Sequence, residues 1–443
     1  MYARETYSQY SRYKEGNEIK NSDLIYKTYL QILKEELVPA MGCTEPISIA
    51  YASAKAKEVL GHTPDRTIVE VSGNIIKNVK SVIVPNTGHL KGIAAATAAG
   101  IIAGKSEKKL EVISDVSNED KERIKEYLST FPIEVKLIDT PFIFDIQITV
   151  FYKETYVKVR IVNYHTNIIL IEKNGEILYH KEAISSKEEG LSGKELLSVK
   201  DIVDFADSVN IKDIEDIIGR QIEYNSKIAE EGLKHSYGAN IGSVLISTYG
   251  SDVKVRAKAK AAAGSDARMN GCELPVIIVS GSGNQGMTAS LPVIEYGNEL
   301  NVSKEKLYRA LVISNLVTIH QKTGIGRLSA YCGAVCAGAG SGAGITYLYG
   351  GGYRDISHTI VNALSIVSGI ICDGAKASCA AKIATSVDAG ILGYHMFKEG
   401  QQFKGGDGIV RKGIEATISN VGKLAKEGMK ETDKEIIKIM MED

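Results

Sequence analysis

Apolar residues recur at helical spacing near the start of the chain. Over residues 21–37 they lie three or four positions apart, which places them on one face of a helix, and Ser22 or Asp23 is the expected cap. The segment VPAMGCTEP interrupts this pattern, and a second helix is predicted for Pro46–Leu60, with proline in its first turn. The apolar face of the first helix consists of Ile25, Tyr29, Ile32, Leu33 and Leu37.

The pattern changes at Thr67 to short runs rich in β-branched residues, which are typical of strands. Helices are predicted between these runs at Ile93–Ala103, which is rich in alanine, and at Ser117–Tyr127, which is rich in charge. Residues 66–190 are therefore predicted to form an α+β domain with a mostly antiparallel sheet. The strand-like runs are TIVEVSG, SVIVP, LEVIS, IEVKLID, FDIQITVFY, TYVKVRIV and NIILIEK.

From about Ser192 onward the pattern is helical and is broken by glycine-rich turns. We expect the N-terminal helices to pack with this block, so that the α+β domain is an insertion. The predicted fold is of the α+β class. It combines a mostly helical, glycine-rich catalytic domain, 21–65 plus 191–443, with an inserted α+β domain, 66–190, that contains a mixed or antiparallel sheet. Residues 1–20 are expected to be a mobile lead.

The charge balance and the cysteine content limit the function classes. The chain has 443 residues, with 53 Lys and Arg against 54 Asp and Glu, so nucleic acid is not an expected partner. Six cysteines are too few for a disulfide scaffold, and the polar, tyrosine-rich N-terminus lacks the apolar stretch of a signal peptide. A cytoplasmic location is therefore expected, where cysteines serve more often as ligands or catalysts than in disulfides.

A stretch of 26 uncharged residues between Arg327 and Arg354 has the length of a membrane span. Its composition is dominated by glycine and alanine rather than by large apolar residues. We therefore expect close-packed buried segments here and no membrane span.

Four of the six cysteines, Cys332, Cys336, Cys372 and Cys379, fall within 48 residues of the glycine-rich block. On a helix, the last two would be about 10 Å apart, beyond the reach of a disulfide. A metal cluster could span this distance, although the closely spaced ligand pairs typical of zinc sites and ferredoxins are absent. Spacing alone leaves two interpretations open: ligands of an iron–sulfur cluster, or buried thiols acting as small apolar side chains.

Cys43 stands apart from this group, at the predicted start of the second helix. The partial positive charge of a helix N-terminus lowers the pKa of a thiol, whereas the negative charge of the neighbouring Glu45 raises it. Cys43 is therefore either a candidate catalytic thiol or a structural one.

Two glycine-containing turns follow strand-like segments and are candidate anion sites. In VPNTGHLKG, 84–92, backbone amides precede the alanine-rich helix, and SGSGNQGM, 280–287, follows LPVIIV in the same manner. Each is equally consistent with a turn that needs positive φ. The second turn is also similar to the substrate loop of pyridoxal-phosphate-dependent amino-acid dehydratases, in which case Lys258 or Lys260 would be the Schiff-base lysine.

Four motifs occur along the chain: MGCTEP at 41–46, GSGNQGM at 281–287, GRLSAYCG at 326–333 and CDGAKASCA at 372–380. Together and in this order they resemble the L-cysteine desulfidase family, which is related to the iron–sulfur L-serine dehydratases. The resemblance implies a [4Fe–4S] cluster held by Cys332, Cys372 and Cys379, and no pyridoxal phosphate.

The implied reaction is the β-elimination of sulfide from L-cysteine, which yields pyruvate, ammonia and hydrogen sulfide and makes the protein a carbon–sulfur lyase. Cys43 is the implied catalytic base, and Cys272 and Cys336 match no assigned role. Three protein thiolates leave one iron open to the substrate sulfur. The substrate carboxylate is expected to bind at the two turns, on Asn86, Thr87, Gly88, Ser282 and Asn284.

Three other functions stay open. An iron–sulfur L-serine dehydratase would use the same residues to eliminate water from serine. A pyridoxal-phosphate-dependent lyase would need one of the two lysines, and a non-catalytic iron–sulfur sensor would have no need of Cys43. In each enzymatic case the expected partner is a small amino-acid substrate. The sequence is compatible with a homo-oligomer and does not decide the oligomeric state.

Overall fold

The computed structural model describes residues 23–183, 193–326 and 328–442. Its fold is of the α+β class, as predicted, with a helical block and a domain built on a mixed sheet. The lead segment predicted for residues 1–20 lies outside the described residues, and so does the predicted domain boundary at 190/191.

The elements are numbered separately as strands and helices in chain order. The strands are β1 Pro39–Met41, β2 Arg66–Val71, β3 Ile133–Leu137, β4 Asp145–Tyr152, β5 Thr155–Val162, β6 Ile168–Lys173, β7 Glu176–His180 and β8 Pro275–Ile277. The helices are α1 Leu24–Glu36, α2 Thr44–Leu60, α3 Gly73–Val79, α4 Gly92–Ala103, α5 Asn118–Thr130, α6 Val199–Ser208, α7 Ile211–Lys234, α8 Ile241–Tyr249, α9 Val253–Met269, α10 Gly283–Glu299, α11 Lys304–Ile325, α12 Gly333–Leu348, α13 Tyr353–Val367, α14 Cys379–Lys398, α15 Ile414–Lys423 and α16 Lys430–Glu442.

The sheet of the α+β domain has six strands in the order β3-β2-β4-β5-β6-β7. β2 and β3 are parallel, and the other neighbouring pairs are antiparallel. The alternation of side chains along β4 shows why these residues form a sheet. Ile146, Ile148 and Val150 are fully buried in the core, whereas Gln147, on the opposite face, donates a hydrogen bond to Glu70 of β2.

Helices α2, α4 and α5 contribute to the core of the sheet domain. α2 and α4 approach closely because Gly100 of α4 lies against the backbone of Ala50, where a Cβ would come within 2.2 Å of the carbonyl oxygen. The buried side chains of α2, including Ile47 and Ile49, belong to this core. This packing differs from the expected grouping of residues 44–60 with the helical block, since the small, alanine-rich surfaces of α2 and α4 complement each other.

Helix α1 and most helices after α5 form the second core. Glycine lets α12 and α14 cross at short range, because a Cβ on Gly390 would lie 2.2 Å from the carbonyl oxygen of Gly338. The uncharged, glycine-rich stretch is thus a helix-packing surface. Within the described ranges, no helix combines the length and the apolar composition needed to cross a bilayer.

Two connections place the start of α2 beside the helical block. β1 and β8 pair in antiparallel orientation. The hydroxyl of Thr44, the first residue of α2, donates a hydrogen bond of 2.8 Å to the carbonyl of Gly281. The N-termini of α2 and α10 are therefore held next to each other.

Candidate functional site

The two cores meet at a cavity of about 100 Å³. Its lining comes from both parts of the molecule, which makes it an inter-domain cleft of the kind that commonly binds small molecules. The lining residues include Cys43, Glu45, Asn78, Phe144 and His165 on the sheet side, and Arg268, Ser282, Asn284, Gln285, Lys322, Tyr331, Cys332, Cys372, Gly374 and Cys379 on the helical side.

Four helices begin at the wall of this cavity. Cys43 and Ser282 directly precede α2 and α10, Cys332 precedes α12, and Cys379 is the first residue of α14. A helix N-terminus carries partial positive charge and backbone N–H groups without intrahelical partners. The cavity is therefore suited to hold anions such as thiolates and carboxylates.

Cys43 is fully buried, and its thiol donates a hydrogen bond to the sulfur of Met269 at 3.2 Å. Burial raises the pKa of Cys43 to about 12, the positive charge of Arg268 lowers it, and the negative charge of Glu45 raises it. Cys43 lies at a helix start as predicted, but the expected lowering of its pKa is outweighed by desolvation. The guanidinium of Arg268 is the neighbour that favours the thiolate.

Cys332, Cys372 and Cys379 line the same cavity as Cys43. Backbone hydrogen bonds hold the first two side by side: the N–H of Cys332 donates to the carbonyl of Ile370 at 3.1 Å, and the N–H of Cys372 donates to the carbonyl of Ala330 at 2.6 Å. Three cysteines that are up to 47 positions apart in the sequence are thus brought to one wall.

The loop between the last two of these cysteines is wedged against α3. Gly374 has a φ of 95°, and a Cβ there would lie 2.2 Å from the carbonyl oxygen of Lys77. The ammonium of Lys77 donates to the carbonyl of Cys372 at 3.4 Å and pairs with Asp433 of α16 at 2.5 Å. Glycine at 374 is therefore required both by the backbone conformation and by the close approach of α3.

The donor set fits an iron–sulfur cluster. Burial raises the pKa of Cys332 to about 12 and also raises the pKa of Cys379, and the neighbouring thiols add to both increases. Coordination to a cationic metal centre would deprotonate such thiols. No three His, Cys, Asp or Glu side chains of the described part of the chain converge as a single metal ion requires. Soft sulfur donors spread along one wall suit a multi-iron cluster.

Arg268, near the end of α9, is a buried cation at the cavity. Its Nε donates to the carbonyl of Gly42 at 2.9 Å, and its Nη1 donates to the side-chain oxygen of Asn284 at 3.0 Å. Gly283 makes room for this guanidinium, because a Cβ there would lie 2.2 Å from Nε. Among the described residues, Arg268 forms no ion pair with a carboxylate.

Glu45 and His165 are the second charged feature of the cavity. Nε2 of His165, in the turn after β5, lies 4.0 Å from Oε1 of Glu45, in the first turn of α2. Burial acts to raise the pKa of Glu45, but the interaction with His165 and the charge of Arg268 outweigh it, so that this pKa lies below its usual value. Nε2 is buried and has no hydrogen-bond partner among the described residues.

The residues predicted for the substrate carboxylate separate into two groups. Ser282 and Asn284 line the cavity, where Ser282 caps α10 and Asn284 supports the arginine. Asn86, Thr87 and Gly88 are not among its lining residues. The side-chain amide of Asn86 donates to the carbonyl of Ile113 at 2.8 Å and ties the turn to the segment after α4, and the hydroxyl of Thr87 donates to the carbonyl of Val84 at 2.7 Å within the turn.

The residues that the other interpretations single out lie elsewhere. Lys258 pairs with Asp388 at 3.1 Å, and Lys260 pairs with Glu295 at 2.5 Å, and neither lysine lines the cavity. Cys272 and Cys336 are buried in the helical core and are absent from the lining as well.

Arg268, Glu45 and His165 were not among the sequence-predicted site residues. A signal existed for the arginine, since AAAGSDARM, 261–269, is otherwise composed largely of small residues, and every residue in it is buried. A charged side chain in such a stretch of helix calls for a polar partner. The turn NYHTN, which contains His165, carries no comparable signal.

Comparison with known proteins places the chain in a family. The chain is 67% identical over 423 residues to a UPF0597 protein of Desulfitobacterium hafniense (strain Y51), an alignment that covers 96% of this chain and 98% of the relative. It is 57% identical over 417 residues to a UPF0597 protein of Lachnoclostridium phytofermentans (strain ATCC 700394 / DSM 18823 / ISDg), covering 94% of this chain and all of the relative. The family model described as serine dehydratase alpha chain matches residues 107–438, which include Cys332, Cys372 and Cys379 but not Cys43. The chain therefore belongs to the serine dehydratase alpha chain family, and this membership implies a lyase.

Proposed function

We propose that the protein is a [4Fe–4S]-dependent lyase that eliminates sulfide from L-cysteine to give pyruvate, ammonia and hydrogen sulfide. One observation carries the proposal: Cys43, Cys332, Cys372 and Cys379, from three separate parts of the sequence, line one small cavity between the two cores. Membership of the family supports an iron–sulfur cofactor rather than pyridoxal phosphate.

The cluster would be held by Cys332, Cys372 and Cys379, which leaves one iron without a protein ligand. When bound, the cluster would supply a Lewis acid for the leaving group. The chain itself positions these thiols at the starts of α12 and α14 and at the loop pinned to α3, where helix dipoles favour their anionic forms.

Cys43 would remove the proton from Cα of the substrate. The proton moves to Sγ, the electrons of the Cα–H bond form the Cα–Cβ double bond, and the Cβ–S bond breaks as hydrosulfide leaves. The resulting aminoacrylate tautomerises to an imine, and water converts the imine to pyruvate and ammonia. A buried, weakly acidic thiol makes a strong base once its proton is gone, and Arg268 is the neighbour that lowers the cost of forming this thiolate.

A second candidate is the elimination of water from L-serine by the same residues. The family match supports it directly, because serine dehydratase is the activity that the family name states. Sulfur as leaving group suits iron better than oxygen does, and for this reason cysteine is the substrate proposed first.

The test is the release of pyruvate by the full chain, reconstituted anaerobically with iron and sulfide and offered L-cysteine and L-serine in parallel. We expect cluster-dependent pyruvate with a higher kcat/KM for cysteine. A higher kcat/KM for serine would assign the dehydratase instead. Activity that follows added pyridoxal phosphate in unreconstituted protein, or no pyruvate from either substrate with a full cluster, would refute the proposal.

The roles of the cysteines are separable by substitution. Cys43→Ser should retain the visible absorbance of the cluster and lose pyruvate formation by at least about a hundredfold, the usual range for a missing general base. Cys332→Ala, Cys372→Ala and Cys379→Ala should lose absorbance and activity together. Cys272→Ala is the matched control and should keep both. Full activity in Cys43→Ser would rule out this base.

A further inference from the structure

We propose that Arg268 binds the α-carboxylate, and Glu45 together with His165 the α-ammonium, of an L-α-amino acid in the cavity. This inference rests on the proposed function and defines the substrate class of the same site. It also moves the carboxylate position from the turn around Asn86 to the end of α9.

The guanidinium of Arg268 has donors left for a ligand. An arginine carries five N–H donors, and here Nε and Nη1 are bonded to Gly42, to Asn284 and, at 3.6 Å, to the sulfur of Met269. Nη2 donates to no other residue in the part of the chain that the structure describes. A buried cation without a paired anion is costly, and the two N–H groups of Nη2 can donate to a carboxylate.

Glu45 offers the complementary charge. It lies at the same cavity, and its pKa lies below its usual value, so that it is anionic at neutral pH. Arg268 and Glu45 do not pair with each other within 4.0 Å. Two opposite buried charges at one cavity that are close but not paired match a zwitterion better than a ligand with a single charge.

The cavity also holds buried polar atoms that lack partners among the described residues. They are Nε2 of His165, the side-chain oxygen of Gln285 and the hydroxyl of Tyr331. Buried polar atoms are almost always hydrogen-bonded in folded proteins, so three such atoms at one cavity indicate a missing polar ligand. Nε2 lies 4.0 Å from Oε1 of Glu45. In the imidazole tautomer whose Nε2 carries no proton, an ammonium with three N–H donors can bond to both groups.

The position of Cys43 agrees with this assignment. The charges of Arg268 and Glu45 both act on its thiol, and the thiol packs in one small cluster with Cys379. In an α-amino acid, Cα is bonded to the carboxylate, the ammonium and the side chain. A substrate anchored by its two charged groups would therefore direct its Cα–H to Cys43 and its side chain to Cys332, Cys372 and Cys379.

Calorimetric titration of the anaerobic, cluster-loaded full chain with L-alanine tests the proposal, because L-alanine has no leaving group and its binding needs no turnover. L-Alaninamide lacks the carboxylate charge, and propionate lacks the ammonium. We expect wild type to bind L-alanine at least tenfold more tightly than either analogue, a difference of about 1.4 kcal/mol. Equal affinity for all three, or no binding of L-alanine at millimolar concentration, would overturn the proposal.

Variants then identify each anchor. Arg268→Lys should weaken L-alanine at least tenfold and leave L-alaninamide unchanged, since the single ammonium of a lysine cannot bond to Gly42 and Asn284 and also present the donors of Nη2 to a carboxylate. Glu45→Gln should weaken L-alanine and L-alaninamide but not propionate. Arg256→Lys is the control, because Arg256 is on the same helix but is not among the lining residues of the cavity and pairs with Glu295 and Glu299. Wild-type affinity in Arg268→Lys would overturn the assignment of the carboxylate.

The outcomes separate this inference from the proposed function. If wild type releases pyruvate but the variants bind L-alanine like wild type, the proposed reaction is supported and the assignment of Arg268 and Glu45 as anchors is refuted. If wild type forms no pyruvate from cysteine or serine but shows the expected pattern of binding, the cavity is an amino-acid site and the proposed reaction falls.

Discussion

At the scale of single residues, the cavity depends on a glycine that has no functional group of its own. A Cβ on Gly283 would lie 2.2 Å from Nε of Arg268, closer than non-bonded atoms approach. Gly283→Ala should therefore displace the guanidinium and raise KM for the amino-acid substrate by at least about tenfold, or ~1.4 kcal/mol. Steady-state pyruvate formation measures this. Gly352→Ala, where an added Cβ meets no atom within 4 Å, should match wild type. An unchanged KM in Gly283→Ala would contradict the role of Arg268.

The residues of the candidate site differ in how far the sequence could predict them. The cysteines could be named because they stand in motifs shared with a known family, and the structure brings Cys43 to the same cavity as the other three. Arg268 and His165 reach the cavity only through tertiary packing, one from a helix of the block and one from a turn of the sheet domain. The turn around Asn86 has the local form of an anion site, but its side chains are hydrogen-bonded to backbone carbonyls, that of Asn86 to Ile113 and that of Thr87 to Val84.

At the scale of elements, the crossing of α12 and α14 sets the distance between Cys332 and Cys379, two of the proposed cluster ligands. Both helices begin at such a cysteine, and Gly390 contacts the backbone of Gly338 where they cross. Gly390→Ala would place a Cβ 2.2 Å from a carbonyl oxygen and force the helices apart. We expect a lower melting temperature, from a cost of about 1–3 kcal/mol, and reduced cluster absorbance after reconstitution. Full cluster content in this variant would show that the crossing does not set the distance between Cys332 and Cys379.

The docking of α16 onto α3 depends on a buried ion pair. Lys77 is almost fully buried, and Asp433 of α16 is its partner, while Asn74 also donates to Asp433 at 2.8 Å. Asp433→Ala would leave a buried charge without compensation, which costs about 3–5 kcal/mol, so the melting temperature should fall. Glu435→Ala, at an exposed position of the same helix, should have little effect. Adding Lys77→Met to Asp433→Ala should restore part of the loss, and an absence of recovery would argue against the ion pair.

The predicted elements succeeded where a pattern extended over a whole strand or helix. The alternating runs at 144–152 and 155–162 are β4 and β5, because one face of each is buried and the other is polar. The runs at 81–85 and 110–114 are equally apolar but form no strands, since their buried residues fill the core from turns beside α3 and α4. β7 went unpredicted because all five of its residues are exposed and it lacks alternation.

At the scale of the whole molecule, the cavity lies between two cores that are each extensive. The hydrophobic residues of the sheet domain and of the helical block are buried in two extensive cores, and the three cysteines lie at helix starts and in a loop at the cavity between them. The loop is held independently by Gly374 against α3 and by Lys77. We therefore expect both cores to fold without the cluster, in contrast to small metal domains, in which the binding of metal supplies the free energy of folding.

Removal of the cluster with a chelator under oxidising conditions should therefore abolish activity and visible absorbance but leave the far-ultraviolet circular dichroism of the helices unchanged. A ligand that binds the folded state stabilises it by mass action. The melting temperature should therefore fall only by the amount that corresponds to the lost binding free energy of the cluster. Cys332→Ala, purified without a cluster, should show the same spectrum and a similar melting temperature, because only the wall of the cavity is altered. Loss of the helical signal in either sample would show that the two cores depend on the metal centre. The cavity would then form only when the cluster is assembled, and not by folding of the chain alone.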